Sequence, residues 1–188
     1  LAELLQAHSR ITAESVDLSN PTYETDVLII GGAMAGLLCA YMLDKRGVNY
    51  VLLEANRICS GVTKNTTAKI TSQHGLIYSD LVKKFGVEKA RMYLKANERA
   101  IRQYRKICEN IDCDFEEKSA FCYSLDNVKY LEEEIDALSK LKFNAKFTDN
   151  IPLPFRTVGA IEFNAQAQFN PLKFVSGIAK GLNIYENS

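Results

Sequence analysis

The sequence lacks the residue patterns that hold most protein-bound metals. It has only two histidines, His8 and His74, and none of its cysteines belongs to a C-x-x-C pair. The usual zinc and Rieske iron–sulfur spacings are therefore excluded within this chain, and no metal site is predicted. An odd number of scattered cysteines is typical of reduced, mostly buried thiols. These cysteines are Cys39, Cys59, Cys108, Cys113 and Cys122.

Long apolar runs and an excess of charge of one sign are also absent. No run approaches the roughly 18–20 apolar residues that span a bilayer, and residues 1–5 lack the basic start of a signal peptide. Lys plus Arg and Asp plus Glu number 23 each, so net charge gives no reason to expect a nucleic acid or an anionic membrane as partner. With 47% hydrophobic and 24% charged residues, we expect a globular, cytoplasmic protein with neither partner.

The strongest positive signal is a predicted strand–helix–strand unit over residues 26–54. A short apolar strand over 26–30 leads into a turn of small residues over 31–36. A helix over about 35–46 follows, and a second strand ends at Glu54. This order is typical of the dinucleotide-binding β–α–β fingerprint.

Each part of the fingerprint suits one part of a nucleotide. Gly31 permits a sharp turn, and Gly36 permits close packing of helix on sheet. The free N–H groups of the helix N-terminus suit a pyrophosphate, and the carboxylate of Glu54 suits the ribose hydroxyls of an adenosine. The middle glycine of the pattern is replaced by Ala33, whose methyl group is a small intrusion. An ordinary strand-to-helix turn is the alternative, which the flanking strand, helix and acid argue against.

A hydroxyl-rich loop over 56–74 follows Glu54 and suits close wrapping around a polar ligand, with a plain surface loop as the alternative. Cys59 lies within this loop, and we interpret its side chain as a packed thiol rather than a reactive one. The basic face of the helix predicted over 88–110 is interpreted as solvated, with salt-sensitive docking of an acidic partner as the alternative.

The patterns predict helices over 76–85, 88–110 and 127–141, a hairpin over 114–118 and 121–124, a strand over 158–163, a helix from Asn170 to about Gly181, and a strand over 183–186.

Several stretches carry a resemblance to a known family. They are residues 26–32, 53–58, 66–78, 151–155 and 167–173. The first is common to many flavoproteins, whereas the run over 66–78 is far more specific. The chain resembles the N-terminal part of FAD-dependent oxidoreductases of the D-amino-acid-oxidase (glycine-oxidase-like) family. The nearest branch is the bacterial one whose members often carry a C-terminal Rieske domain.

The resemblance implies an α/β fold: a glutathione-reductase-like FAD-binding Rossmann domain, incomplete in this chain, with an α+β insertion. Because the sequence starts with Leu and lacks the family's later strands, we expect it to be part of a longer protein. The implied division is a lead-in over 1–25, the β–α–β unit and flavin loop over 26–75, the insertion over 76–181, and a returning strand over 182–188.

The resemblance also implies a set of residues in contact with FAD. The turn over 31–36 would contact the pyrophosphate, and Glu54 would contact the ribose. Ala55 and Arg57 would lie beside the adenine, and the hydroxyl-rich loop would line the flavin end. The set is Gly31, Gly32, Ala33, Met34, Ala35, Gly36, Glu54, Ala55, Arg57, Ser60, Thr63, Thr66, Thr67, Ala68 and Lys69. Asn170 stands where a His is common in the family.

The implied activity is oxidation of a small-molecule amine or amino acid by hydride transfer to FAD. The resemblance implies no catalytic residue in this segment. Lys69 is a candidate cation beside the reduced flavin, and His74 is favoured as a structural hydrogen-bonding residue. The alternatives are a non-catalytic nucleotide-binding fragment and an NAD(P)-dependent dehydrogenase, although the long excursion after Glu54 argues against the latter. We expect the 188-residue chain alone to bind FAD weakly or not at all, and to lack turnover.

Overall fold

A computed structural model describes residues 24–188 of the chain, so most of the predicted lead-in over 1–25 lies outside the described residues. Strand and helix alternate from Val27 to Glu54, and strands and helices follow one another without a regular order after that. They are β1 Val27–Ile30, α1 Met34–Asp44, β2 Tyr50–Glu54, a 3-10 turn Val62–Asn65, β3 Lys69–Ile70, α2 Tyr78–Cys108, β4 Glu116–Ser124, α3 Val128–Lys140, β5 Lys146–Thr148, β6 Gly159–Gln168, α4 Pro171–Ile178 and β7 Ile184–Glu186.

The chain divides into two compact units. The first unit contains the described residues up to 68, together with 108–114 and 169–188. The second unit contains residues 69–107 and 115–168. The predicted insertion over 76–181 thus contributes α4 and the segment 108–114 to the first unit.

The first unit is built on a parallel three-stranded sheet in the order β1-β2-β7. Its register places Ile29 beside Leu52 and Glu54 beside Glu186. The strands before and after α1 confirm the predicted strand–helix–strand unit, and Leu37 and Ala40 bury the apolar face of that helix. The helix α4 begins as predicted, since the Asn170 side chain accepts a hydrogen bond from the Lys173 N–H at 3.2 Å.

The second unit is an antiparallel sheet with β6 at its centre, flanked by β4 on one side and by β3 and β5 on the other. The strand β6 places Ile161 and Phe163 in a core with residues of α2 and α3. The remaining members of this core are Tyr78, Ala90, Leu94, Leu131, Ala137, Leu138 and Leu141. The two predicted helices over 76–85 and 88–110 are confirmed as the two arms of α2, which bends at Gly86 with φ +80°.

One predicted element is wrong. Instead of a hairpin over 114–118 and 121–124, the structure has the single strand β4, which pairs along its length with β6. The two residues between the predicted arms are Ser119 and Ala120, and the register shifts there, between Lys118 and Ala120. A β-bulge of this kind interrupts the alternation of side chains as a turn would. None of the helices within residues 24–188 is long and apolar enough to cross a membrane.

Candidate functional site

The turn between β1 and α1 has a backbone that requires glycine at two positions. Gly31 adopts φ +102°, a conformation that side chains disfavour, and its N–H donates to the Leu53 carbonyl at 2.8 Å. A Cβ atom at Gly36 would lie 2.0 Å from the Gly31 carbonyl oxygen. The helix therefore starts in close contact with the strand end.

The N-terminus of α1 has no side-chain cap. Its first helical bond runs from the Leu37 N–H to the Ala33 carbonyl at 3.0 Å, which leaves the N–H groups of Met34, Ala35 and Gly36 without an intrahelical acceptor. No acidic residue lies in its first turn. By contrast, α3 and α4 are each capped by an asparagine. The open N–H groups and the positive helix end fit a pyrophosphate.

Ala33 occupies the position where the fingerprint usually has glycine. Its φ of −82° and ψ of −179° are extended values that any residue adopts. The residue is exposed. The turn therefore accepts alanine without backbone strain, and the effect of its methyl group on cofactor affinity stays a prediction.

The carboxylate of Glu54 lies against the same turn. One oxygen accepts the Gly32 N–H at 2.7 Å, and the other accepts the Asn56 N–H at 2.9 Å. A carboxylate has about four lone-pair sites, so each oxygen can still accept a ribose hydroxyl. The structure thus brings the uncapped helix end and this carboxylate together, an arrangement that fits the adenosine diphosphate half of FAD.

The remaining predicted site residues lie along the chain that follows β2. Ala55 and Arg57 are exposed in the turn after it, Ser60 is half-buried, and Thr66 and Thr67 are exposed. Thr63 is buried and hydrogen-bonded to the Cys59 thiol. Ala68 adopts φ +59°, an uncommon conformation for alanine that is concentrated at functional sites. Lys69 opens β3 and belongs to the second unit.

The environment of Cys59 supports packing over reactivity. The residue is buried, and its N–H donates to the Gly32 carbonyl at 3.1 Å. Burial raises the pKa of the thiol to about 11, with the charge of Glu54 adding to the rise and the hydrogen bond to Thr63 opposing it. Since the thiolate is the nucleophilic form, this thiol is inert at neutral pH.

The second unit contains a cavity of about 380 Å³, within the size range of small-ligand sites. Its lining includes the cation Lys118, the aromatic rings of Phe121 and Tyr123, and the amides of Gln73 and Gln166. Both amides are buried and held: Gln73 donates to the Ile161 carbonyl at 3.0 Å, and Gln166 accepts the Ser72 N–H at 2.7 Å. The sequence patterns did not reveal this cavity, because its lining comes from four separate segments.

Two further residues are placed by the structure. His74 is exposed, and its Nδ1 lies 3.0 Å from the Tyr93 hydroxyl, which supports its interpretation as a structural hydrogen-bonding residue. Glu186 was not predicted as a site residue, yet its carboxylate accepts the Ile58 N–H at 2.7 Å. Its only sequence signal is an acidic residue at the end of an apolar strand.

Comparison with known proteins identifies the family. The profile of the family described as FAD dependent oxidoreductase (DAO) matches residues 26–187. The Rieske 2Fe-2S iron–sulfur protein YhfW of Bacillus subtilis is 37% identical over 174 residues, which cover 88% of this chain and 34% of that protein. Gamma-glutamylputrescine oxidoreductase of Escherichia coli is 29% identical over 102 residues, which cover 53% of this chain and 24% of that protein.

Solved structures share the fold. L-proline dehydrogenase from P. horikoshii superposes with a TM-score of 0.70 at 18% identity, over 94% of this chain and 45% of that one. By comparison with the two curated relatives, the chain spans about a third or less of their length. The α/β class and the predicted family are both confirmed. The chain belongs to the family of FAD-dependent oxidoreductases that includes D-amino-acid-oxidase-like proteins.

Proposed function

We propose that the protein binds FAD through its first unit and oxidises the C–N bond of an amine or amino acid. The observation that carries the proposal is the uncapped N-terminus of α1 beside the Glu54 carboxylate. The N-terminus of α1 provides donors for a pyrophosphate, and the Glu54 carboxylate provides acceptors for a ribose. FAD, when bound, supplies the hydride acceptor for the oxidation.

The chain's own residues would bind and orient the cofactor. The N–H groups of residues 34–36 would donate to the pyrophosphate, and Glu54 would accept from the ribose while still holding Gly32. Ala55 and Arg57 would flank the adenine. The flavin end would be lined by Ser60, Thr63, Thr66, Thr67 and Ala68. In this proposal the parallel sheet is part of a glutathione-reductase-like Rossmann domain, and residues 76–181 form its insertion.

The substrate class is supported by two similar proteins. Their names give gamma-glutamylputrescine, an amine, and L-proline, an amino acid, as what those proteins act on. The cavity of the second unit has groups that suit such molecules. Lys118 Nζ lies 3.3 Å from Glu116 Oε2 and, with three donor hydrogens, can also pair with a substrate carboxylate. Tyr123 can face an ammonium group or an apolar chain. We propose this cavity as part of the substrate site.

Coenzyme binding tests the proposal most simply. The purified chain is incubated with FAD or with NADP⁺ and NAD⁺, passed through gel filtration, and titrated at equilibrium to detect weak binding. We expect weak but saturable binding of FAD, and no binding of NAD⁺ or NADP⁺. Preferential binding of a nicotinamide coenzyme would favour the dehydrogenase alternative and contradict the proposal.

Turnover is the second part of the test. Under anaerobic conditions, the FAD-loaded chain is mixed with a panel of amines and amino acids, and the visible flavin bands are followed. Bleaching by one of them would establish C–N oxidation directly and would contradict our expectation that the chain alone lacks turnover. Reduction by a 2-hydroxy acid but by no amine or amino acid would contradict the proposed substrate class.

A further inference from the structure

The last residue of β7 carries a carboxylate that is almost completely buried. Glu186 is 4% exposed and lies beside Glu54 in the register of the parallel sheet. Its Oε1 accepts the Ile58 N–H at 2.7 Å, and its Oε2 lies 3.9 Å from Nε of Arg57. A buried carboxylate needs such donors, because an isolated charge in the interior is strongly unfavourable.

The residues held by Glu186 contact the turn between β1 and α1. The Ile58 side chain is 1% exposed and packs on Gly32 so closely that a Cβ atom there would lie 2.6 Å from Ile58 Cγ2. The next residue, Cys59, donates its N–H to the Gly32 carbonyl at 3.1 Å. The turn after β2 therefore braces the turn after β1.

Both polar groups of Gly32 are thus occupied. Its N–H is held by Glu54 at 2.7 Å, and its carbonyl is held by Cys59. The orientation of the two peptide groups that flank the Gly32 Cα depends on Glu54 directly and on Glu186 through Ile58 and Cys59. This second path joins residues 128 positions apart in the sequence.

We infer that Glu186 is a positioning residue for the cofactor turn. It fixes residues 57–59, which in turn fix Gly32 and set the direction in which the turn presents its N–H groups. Pre-organisation of this kind raises affinity, because a ligand then has less backbone to order. The effect on FAD affinity rests on the proposed function, whereas the effect on the turn does not.

Two substitutions of Glu186 separate this role from a general structural one. Glu186→Ala removes both acceptor oxygens, and Glu186→Gln keeps one oxygen for the Ile58 N–H. Glu109→Ala, an exposed acid in the same unit, is the matched control. Hydrogen exchange of individual amides by NMR and equilibrium titration with FAD are the two measurements.

In Glu186→Ala we expect exchange at Ile58 and Cys59 to rise at least about tenfold and FAD affinity to fall about tenfold, as for loss of a hydrogen bond to a charged group. Glu186→Gln should keep most of the protection at Ile58 and most of the affinity. Glu109→Ala should match the wild type in both measurements.

Three results would overturn the inference. The first is unchanged exchange at Ile58 and Cys59 in Glu186→Ala. The second is a uniform rise across the amides of β1 and β2, which would show general destabilisation. The third is faster exchange at Ile58 with unchanged FAD affinity. If the wild type binds no FAD, the proposed function fails, while the exchange rates still decide whether Glu186 positions the turn.

Discussion

The carboxylate of Glu54 accepts the backbone N–H of Gly32 at 2.7 Å across 22 residues of sequence. This bond joins the carboxyl end of β2 to the turn that follows β1. It places a negative charge beside the N-terminus of α1 and leaves lone pairs free on both of its oxygens. The proposed nucleotide site is therefore held by hydrogen bonds within the chain itself.

Removal of the Glu54 charge should weaken FAD binding. In Glu54→Gln, we expect the affinity for FAD and for ADP to fall about tenfold, because charge-assisted hydrogen bonds to the ribose are lost. Affinity is measured by equilibrium titration, with Glu109→Gln as an exposed control in the same unit. Equal affinities in Glu54→Gln and the wild type would show that this carboxylate does not contact the ribose.

Substitution of Gly36 should destabilise the first unit. In Gly36→Ala the added methyl group would lie 2.0 Å from the Gly31 carbonyl oxygen, so the helix must move away from the strand. Over-packing of this kind costs about 1–3 kcal/mol, which urea denaturation can measure. Cys39→Ala is the control, since Cys39 is exposed on the same helix and its replacement should change stability by no more than about 0.5 kcal/mol. A control as unstable as Gly36→Ala would contradict the steric explanation.

The free energy of unfolding should decrease as the pH rises through the alkaline range. The folded-state pKa of Cys59 is about 11 because the thiol is buried, whereas an unfolded thiol titrates near about 8.5. Below both values the thiol is protonated in both states and has no effect on pH dependence. Between them the unfolded state loses its proton first, so stability falls with rising pH.

Urea denaturation between about pH 8 and about pH 10.5, which covers most of the interval between the unfolded and the folded pKa, measures the dependence. Cys59→Ser has no titrating thiol at this position, so its stability should decline less steeply than that of the wild type. Identical slopes for the two proteins would show that Cys59 does not contribute.

The second unit depends on a buried acid that caps a helix from another helix. Glu134 of α3 is fully buried and accepts the N–H groups of Tyr78 at 2.9 Å and Ser79 at 2.7 Å, at the start of α2. Glu134→Ala should cost about 3 kcal/mol, because a buried donor (the Tyr78 N–H) and a partly buried one (the Ser79 N–H) lose their acceptor. Glu132→Ala, exposed on the same helix, should lie within about 0.5 kcal/mol of the wild type. A similar loss in both variants, measured by urea denaturation, would refute the capping role.

Local patterns were sufficient to predict the parts of the fold that depend on neighbouring residues. The first strand, the glycine turn and α1 follow from apolar periodicity and from glycines at fixed offsets. The start of α4 follows from Asn170 and Pro171, because a capping side chain and a proline act within one helical turn. The kink at Gly86 likewise follows from a single residue.

Features that depend on distant partners were not predictable in this way. The strand β4 is continuous because it pairs with β6, and its irregularity after Lys118 resembles a turn when read locally. The role of Glu186 depends on Ile58, 128 residues away, and a single glutamate after an apolar strand carries no signal of that contact. The cavity of the second unit could not be predicted from local sequence patterns either, because four separate segments line it.

The most direct test of the account is an NMR titration of the ¹⁵N-labelled chain with FAD, which detects weak as well as tight binding at individual amides. We predict that saturation shifts the amides of residues 31–36 and 54–57, that ADP shifts the same amides, and that FMN, which lacks the adenosine, does not. Saturation with FAD that leaves the amides of Gly31, Gly32 and Gly36 unmoved would contradict the assignment of this turn as the cofactor site.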